Sequence, residues 1–497
     1  MESTHIIVNQ LDNVAFALKN FKAGDTIKVA HKVITIHEEI VAGHKIAIRT
    51  IEKNENVIKY GYPIGKATET IRPGDWVHTH NVKTNLKGTM EYSYTPKPSS
   101  VKRMETDRTF QGYVRENGDV GIRNEIWIIN TVGCINKTCE IVAKNATEQY
   151  KDENLDGVYH YPHLFGCSQL GDDLHNTQKI LSNLIHHPNA AAILVMGLGC
   201  ENNYIEEFKK VIGDYDDKRV KFLEIQEAED EIEEAMNLME ELVTYAKSFE
   251  RQPVSISKLK VGLKCGGSDG YSGITANPLL GSFSDRLISY GGATILTETP
   301  EMFGAEQILM ERSKDEATFR KIVDLVNDFK EYFIRHGQNV YENPSPGNKK
   351  GGITTLEEKS LGNVQKGGFA QVADVLPYGS RINKAGLNLL QGPGNDLISV
   401  TALAASGAHI VLFTTGRGTP FGGPVPTVKI STNSPLFQKK KNWIDFNAGV
   451  LVDGKGKEEL TDEFFEYIIQ MASGEVRTNN EKFGFKEISI FKDGVIL

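Results

Sequence analysis

The sequence predicts an α/β protein: a small all-β domain at the N-terminus, then two α/β domains with mostly parallel sheets. Three observations predict it. Short β-prone runs between turn signals fill the first hundred residues. Continuous apolar strands followed by helical segments fill the middle. The same alternation then repeats to the C-terminus. At 497 residues the chain is too long for one core.

In residues 1–96 the β-prone runs are Thr26–Val29, Lys45–Ile48, Asn56–Tyr60 and Asp75–His80. Ala23-Gly24-Asp25, Ala42-Gly43 and Pro73-Gly74-Asp75 punctuate them. The segment Asn13–Lys19 reads as the one helix of this domain, and no repeat of fixed period is evident. Residues 97–108, within the polar stretch Thr95–Arg108, read as a linker.

Residues 109–252 form the second block. Ile126–Thr131 is a strand leading into Cys134, and Ala191–Met196 is an apolar strand leading into Cys200. Glu227–Arg251 has helical periodicity. Apolar strands alternating with helices imply a parallel sheet covered on both faces. In residues 253–497 the strand candidates are Lys258–Leu263, Ala293–Leu296, Leu387–Leu390 and His409–Phe413, and Leu460–Met471 is helical.

Composition narrows the function. Hydrophobic residues make up 39% and charged residues 24%, with a formal net charge of −9. That balance excludes a chain built to neutralise nucleic-acid phosphates. The longest apolar run, Ala190–Gly199, is far too short to cross a bilayer, and no secretory signal opens the chain. Five cysteines in so long a chain do not make a disulfide framework, so a reducing cytoplasm is the expected compartment. The Lys439-Lys440-Lys441 run reads as solvated surface.

Cys134, Cys167, Cys200 and Cys265 each neighbour a glycine near the end of a strand or short apolar run. Ligand sites of open α/β sheets gather there, and four soft donors would suit iron, as a single ion or a cluster. Each cysteine alone also fits a small buried hydrophobe, which is how Cys139 reads. A second candidate site is histidine-based. His78 and His80 share one face of a strand, and His44 follows a turn in the same domain. The loop Gly266–Gly273 formally matches G-x-S-x-G around Ser268. A serine hydrolase would need a downstream histidine, and only His336 and His409 are available. A loop that hydrogen-bonds a hydroxylated substrate is the better reading. Arg417 lies just past a strand, where it could clamp a carboxylate or simply be a surface arginine. Gly61–Lys66 is one residue short of a P-loop, and no G-x-G-x-x-G, H-E-x-x-H or C-x-x-C occurs.

Longer motifs run from end to end. They include GHKIAI (Gly43–Ile48), VIKYGYPIG (Val57–Gly65), VHTHN (Val77–Asn81), NGDVGIRNE (Asn117–Glu125) and TVGC (Thr131–Cys134). They continue with GCSQLGDD (Gly166–Asp173), GLGCENN (Gly197–Asn203), CGGSDGYSGITANP (Cys265–Pro278) and TETPEMFGAE (Thr297–Glu306). YENPSPGNK (Tyr341–Lys349), QGPGND (Gln391–Asp396) and FTTGRGTPFGG (Phe413–Gly423) complete the set. By these motifs the chain resembles the altronate/galactarate dehydratase family, which also holds the sulfolactate sulfo-lyase subunits.

The resemblance implies an N-terminal β-clip domain of the SAF type. It implies loss of water from D-altronate to give 2-dehydro-3-deoxy-D-gluconate in hexuronate breakdown. It also implies iron, as Fe2+ or an iron–sulfur cluster, with Mn2+ as a substitute. On this basis Cys134, Cys167, Cys200 and Cys265 are expected to hold the metal, with His44, His78 and His80 as the alternative ligand set. His44 and His80 are the expected acid–base groups. Lys59 and Arg417 would neutralise the substrate carboxylate, and Ser268, Asp269, Asn395 and Asp396 would bind hydroxyls. The alternatives are a dehydratase for a related aldarate such as galactarate, and a sugar-acid-binding scaffold without activity. The oligomeric state is left open, a homo-oligomer included.

Overall fold

The computed structural model describes residues 3–151 and 153–497. The first unit is all-β. Strands His5–Ile6, Val14–Ala17, Lys45–Ala47 and Trp76–Val77 form an antiparallel sheet in that order. The helix expected at Asn13–Lys19 is instead the buried strand Val14–Ala17. Its apolar run is too short to nucleate a helix, and it finds a partner strand on either side. Asn13 fixes its start, donating to Asn56 O at 2.8 Å and accepting from Ile58 N–H at 2.7 Å.

Two hairpins hang from this sheet, Thr26–Val29 with Lys32–Thr35 and Asn56–Lys59 with Tyr62–Ala67. Ala30 (φ 51°) and Tyr60 (φ 60°) occupy matching left-handed turn positions in the two. Each hairpin is also closed by a bridge, Phe21 to Ile40 and Ile51 to Ile71. The unit is therefore built from two similar halves, which the residue types alone did not display.

Residues 95–108 carry no regular structure and lie along the third unit, where Lys97 N–H donates to Glu311 O and Met104 N–H to Ser289 O. The second unit is a parallel sheet of Gly157–His160, Glu125–Asn130, Ala190–Gly197 and Val220–Glu224, in that spatial order. Ala190–Gly197 is buried along its whole length, as its uninterrupted apolar character requires. Thr109–Val114 pairs antiparallel with Arg251–Ser255, so the two ends of this unit are zipped together.

The third unit is a seven-stranded parallel sheet. Its order is Val372–Leu376, Gly386–Leu390, Ala293–Leu296, Lys260–Cys265, Ile410–Thr415, Thr427–Ser431 and Phe446–Asn447. Ala276–Ser289, Glu316–Arg335, Asp396–Ala405 and Lys457–Ala472 are its longer helices. Among the described residues no helix is long and apolar enough to cross a membrane.

The first and third units share a core, in which Val57 and Ile64 join a cluster with Leu361 and Leu279. A charge cluster pins the same interface. Glu358, on the helix Leu356–Asn363, accepts from Lys59 Nζ at 2.7 Å and from Lys45 Nζ at 2.9 Å, and all three side chains are buried. Lys45 also donates to Gly352 O at 2.7 Å. Burial opposes ionisation of Glu358, but the two ammonium groups outweigh it and hold the carboxyl down to about 2. Burial and the neighbouring Lys59 bring Lys45 down to about 8, although Glu358 pulls the other way. One carboxylate thus serves two buried cations.

Glu358→Gln leaves both cations without a counter-charge. It should lower unfolding free energy by about 3–5 kcal/mol in denaturant titration at neutral pH. The pH dependence has a definite sign. The folded-state pKa of Glu358 lies below its ordinary 4.5, so its contribution is complete above that value and is lost as pH falls through about 2. The variant should lack this acid-range component, which titrations at a series of pH values will read out.

Candidate active site

The central strand Lys260–Cys265 ends where ligand sites of parallel sheets form. Cys265 is its last residue, and the loop Gly266–Gly273 turns away from it beneath the first unit. A Cβ on Gly270 would lie 2.1 Å from Gly43 O, so only glycine lets the two backbones meet there. The neighbouring strand Ala293–Leu296 leads into Glu298, a buried non-glycine residue in left-handed conformation (φ 71°). Such strain persists only where surrounding contacts enforce it, and it marks functional positions.

Those contacts are ionic. The Glu298 carboxylate accepts from Lys264, from Lys366 Nζ at 2.6 Å and from Cys265 N–H at 3.2 Å. Lys264 also pairs with Asp396 at 3.1 Å. Glu301, one turn later, accepts from Lys359 Nζ at 2.8 Å. The Cys265 thiol lies 3.6 Å from Glu298 Oε1, 3.5 Å from Glu301 Oε2 and 3.4 Å from Asn363 Oδ1. Burial, then the charge of Glu298, pushes this thiol up to about 12. Burial opposes the charge on Glu301, yet Lys359, Lys264 and Lys366 hold it near 2. For Lys264 and Lys366 burial likewise works against the charge, but the acidic neighbours prevail and raise both above the usual lysine range.

Cys265, Glu298 and Glu301 bring three metal-ligating atoms within 4.8 Å of one another, the only such group among the described residues. Beside them is a narrow cavity bounded by Lys59, Ser268, Asp269, Glu358 and Lys359, with room for about one water molecule. A wider cleft lined by Tyr60, Tyr62, Arg312, Gln365 and Lys457 shares Tyr60 with it but contains none of the three donors. Of the three donors, Cys265 lines the narrow cavity and none lines the wider cleft.

The structure redistributes the residues expected from sequence. Cys265 is enclosed in this cluster, whereas Cys134, Cys167 and Cys200 are exposed in the second unit, so the four cysteines do not form one ligand set. Cys139 is core, its Sγ 3.6 Å from Met196 Sδ. The three histidines do gather, around Trp76. His78 stacks on its ring, and His80 lies 5.0 Å from it. Trp76 Nε1–H donates to His44 Nδ1 at 3.1 Å, which leaves His44 Nε2–H facing Lys350 O at 3.4 Å. His78 Nδ1 meets Thr354 Oγ1 at 3.0 Å. Burial first, then Lys45, lowers both His44 and His78, the latter to about 3. Both nitrogens of His44 are engaged, and the trio does not bring its ligating atoms within 4.8 Å. The trio thus gathers around Trp76 without forming such a group. His80 is the exposed member.

Lys59 lines the cavity, but its ammonium is committed to Glu358 rather than free for a substrate carboxylate. Asp269 is saturated by Thr432, Asn433, Ser272 and Tyr271 N–H, and burial pushes it up to about 6. It holds the loop in place. Asn395 caps the helix Asp396–Ala405 by accepting from Ile398 N–H, and Asp396 pairs with Lys264. Arg417 is exposed and donates to Gly347 O at 3.1 Å. Ser268 is buried on the cavity wall, its carbonyl accepting from Asn348 Nδ2 at 2.8 Å. Sequence reasoning missed Lys264, Glu298, Glu301 and Lys366. The available signal was a lysine inside the apolar strand KVGLKC and two glutamates in the motif TETPEMFGAE.

Family models cover nearly the whole chain. The altronate/galactarate dehydratase SAF domain matches residues 3–85. The D-galactarate dehydratase/altronate hydrolase second domain matches 112–247. The D-galactarate/altronate dehydratase C-terminal model matches 256–496. Altronate dehydratase of Escherichia coli K12 is 52% identical over 99% of this chain and 100% of its own length. Altronate dehydratase of Bacillus subtilis 168 is 53% identical over 99% of both. Galactarate dehydratase (L-threo-forming) of E. coli K12 is 31% identical over 98% of this chain and 96% of its own length.

The burial pattern predicts a division among the thiols. In native metal-free protein, iodoacetamide should label Cys134, Cys167 and Cys200 and spare Cys139 and Cys265, whose thiols burial raises to about 12. Peptide mass spectrometry before and after unfolding reads the pattern. Rapid native labelling of Cys265 would contradict the enclosed cluster.

Proposed function

Since the chain belongs to the D-galactarate/altronate dehydratase family, we propose that it is a hydro-lyase that removes water from D-altronate, yielding 2-dehydro-3-deoxy-D-gluconate. The observation that carries the reading is end-to-end identity of 52–53% to two altronate dehydratases. The more distant galactarate enzyme favours altronate over an aldarate as substrate. Five free thiols fit a cytoplasmic setting.

Dehydrating a 2,3-dihydroxy acid requires loss of the C2 proton and departure of the C3 hydroxyl. The C2 proton is reluctant because its neighbour is already an anion. The donor set Cys265, Glu298 and Glu301, one soft thiol with two carboxylates, suits ferrous or manganous ion. A metal held there would act as a Lewis acid on the substrate carboxylate and hydroxyl.

The remaining work falls to side chains of the cluster. Lys264, Lys359 and Lys366 face Glu298, Glu301 and Asp396, three cations against three carboxylates. The ammonium groups hold the Glu298 and Glu301 carboxylates ionised and in place as donors. His80, exposed beside Trp76, serves as the acid–base group, and His44, with both nitrogens engaged, positions Trp76. Ser268 on the cavity wall is the hydroxyl-binding candidate.

Formation of 2-keto-3-deoxy acid from D-altronate and from galactarate, measured side by side with ferrous iron and reductant, tests the substrate. Altronate should be preferred by more than about tenfold in kcat/KM. Equal or faster turnover of galactarate would overturn the assignment. His80→Gln should lower kcat by about 10²–10⁴-fold and remove one limb of its pH profile. A variant as active as the parent would remove His80 from the mechanism.

A further inference from the structure

The wider cleft between the first and third units takes no part in the reaction above, yet it holds a cation without a matching acid. It offers about 340 Å3, within the range of small-molecule sites. Arg312 lines it. Its Nη1–H donates to Gly368 O, but Nε and Nη2 are buried and have no hydrogen-bond partner. Buried donors left over in a folded chain call for an acceptor from outside it. Asp285 is the acid that acts on Arg312, but its oxygens accept from Phe369 N–H and Ala370 N–H. Burial brings the guanidinium down to about 10, and Asp285 offsets only part of that. Lys457, the first residue of the helix Lys457–Ala472, adds a second cation to the cleft. Among the described residues no acidic side chain lines it.

The rest of the lining narrows the kind of anion. Tyr60, Tyr62 and Phe369 supply aromatic surface, and the last two are exposed. Such surface takes the C–H side of a hydroxylated carbon chain. Ser282 Oγ–H donates to Pro278 O at 3.2 Å, and Gln365 Nε2–H donates to Leu361 O at 3.1 Å. Each side chain keeps an oxygen that can accept from a hydroxyl. A planar guanidinium matches a carboxylate through two parallel hydrogen bonds. The combination describes a polyhydroxy carboxylate, whereas a bare inorganic anion would leave the aromatic wall unused. The cleft also borders the Cys265 cluster. Tyr60 lines both cavities, and Lys59 Nζ lies 4.8 Å from the centre of its ring. Leu361 and Gln365 line the cleft on the segment that brings Lys359 to Glu301 and Lys366 to Glu298.

We propose that this cleft is a second binding site, for a small polyhydroxy carboxylate whose acid group pairs with Arg312, and that its occupation steadies residues 361–366. The ligand class is read from the cleft's own side chains, so the test needs no turnover of altronate. The full-length protein is titrated calorimetrically with D-gluconate, with D-glucitol (the same chain without the acid) and with inorganic phosphate. D-gluconate should bind at least about tenfold more tightly than either. Arg312→Gln should weaken D-gluconate binding by at least about tenfold. Phe369→Ala should weaken it by about threefold or more. Circular dichroism checks that Arg312→Gln folds. Phe369→Ala and Lys457→Ala, at exposed positions, carry the test if it does not. Hydrogen exchange read by mass spectrometry should be at least about threefold slower at residues 361–366 with D-gluconate bound. Four results would each overturn the inference: no D-gluconate binding up to about 10 mM, equal binding of D-glucitol or phosphate, parental affinity in folded Arg312→Gln or in both exposed-site variants, or unchanged exchange at residues 361–366.

Discussion

A buried charge must find an opposite charge, and this constraint organises the molecule. Glu358 answers two lysines of the first unit, and Glu298 answers two lysines of the third. Neither arrangement can be relaxed locally, because removing one partner strands the others in a medium that cannot solvate them. The first cluster fixes where the all-β unit sits. The second fixes Glu298 in a backbone conformation that costs energy, and so fixes the direction of its carboxylate. Positions and directions of the side chains around Cys265 are thus set by the same requirement that holds the units together.

Much of the fold was legible in the sequence. The continuous apolar run Ala191–Met196 and the segment Ala293–Leu296 read as buried strands, and both are strands buried along their whole length. The segment at Asn13–Lys19 misled because five apolar residues fit a helix or a strand equally, and partner strands remote in sequence decided between them. The duplicated hairpins escaped notice because their likeness lies in backbone turns at Ala30 and Tyr60 rather than in residue types.

The site was legible in its neighbourhoods and less so in its roles. Cys265 and the loop after it were found from glycine spacing at a strand end. Asp269 and Asn395 looked like ligand-binding groups because short polar side chains in glycine-rich loops serve both purposes. Here Asp269 accepts from Ser272 and Tyr271 of its own loop and from Thr432 and Asn433 beyond the strand Thr427–Ser431, and Asn395 caps its own helix. Lys59 looked like a free cation because sequence does not show which carboxylate lies opposite, and Glu358 is 299 positions away along the chain. The lysine–glutamate clusters were hidden for the same reason.

That separation in sequence bears on how the protein is made. The all-β unit and its two inward lysines leave the ribosome long before the helix Leu356–Asn363 exists. Until then Lys45 and Lys59 remain hydrated and the apolar face around Val57 and Ile64 stays uncovered. During synthesis the nascent chain therefore passes through a stage in which the apolar face and two lysines of this segment lack the partners that cover them in the finished protein.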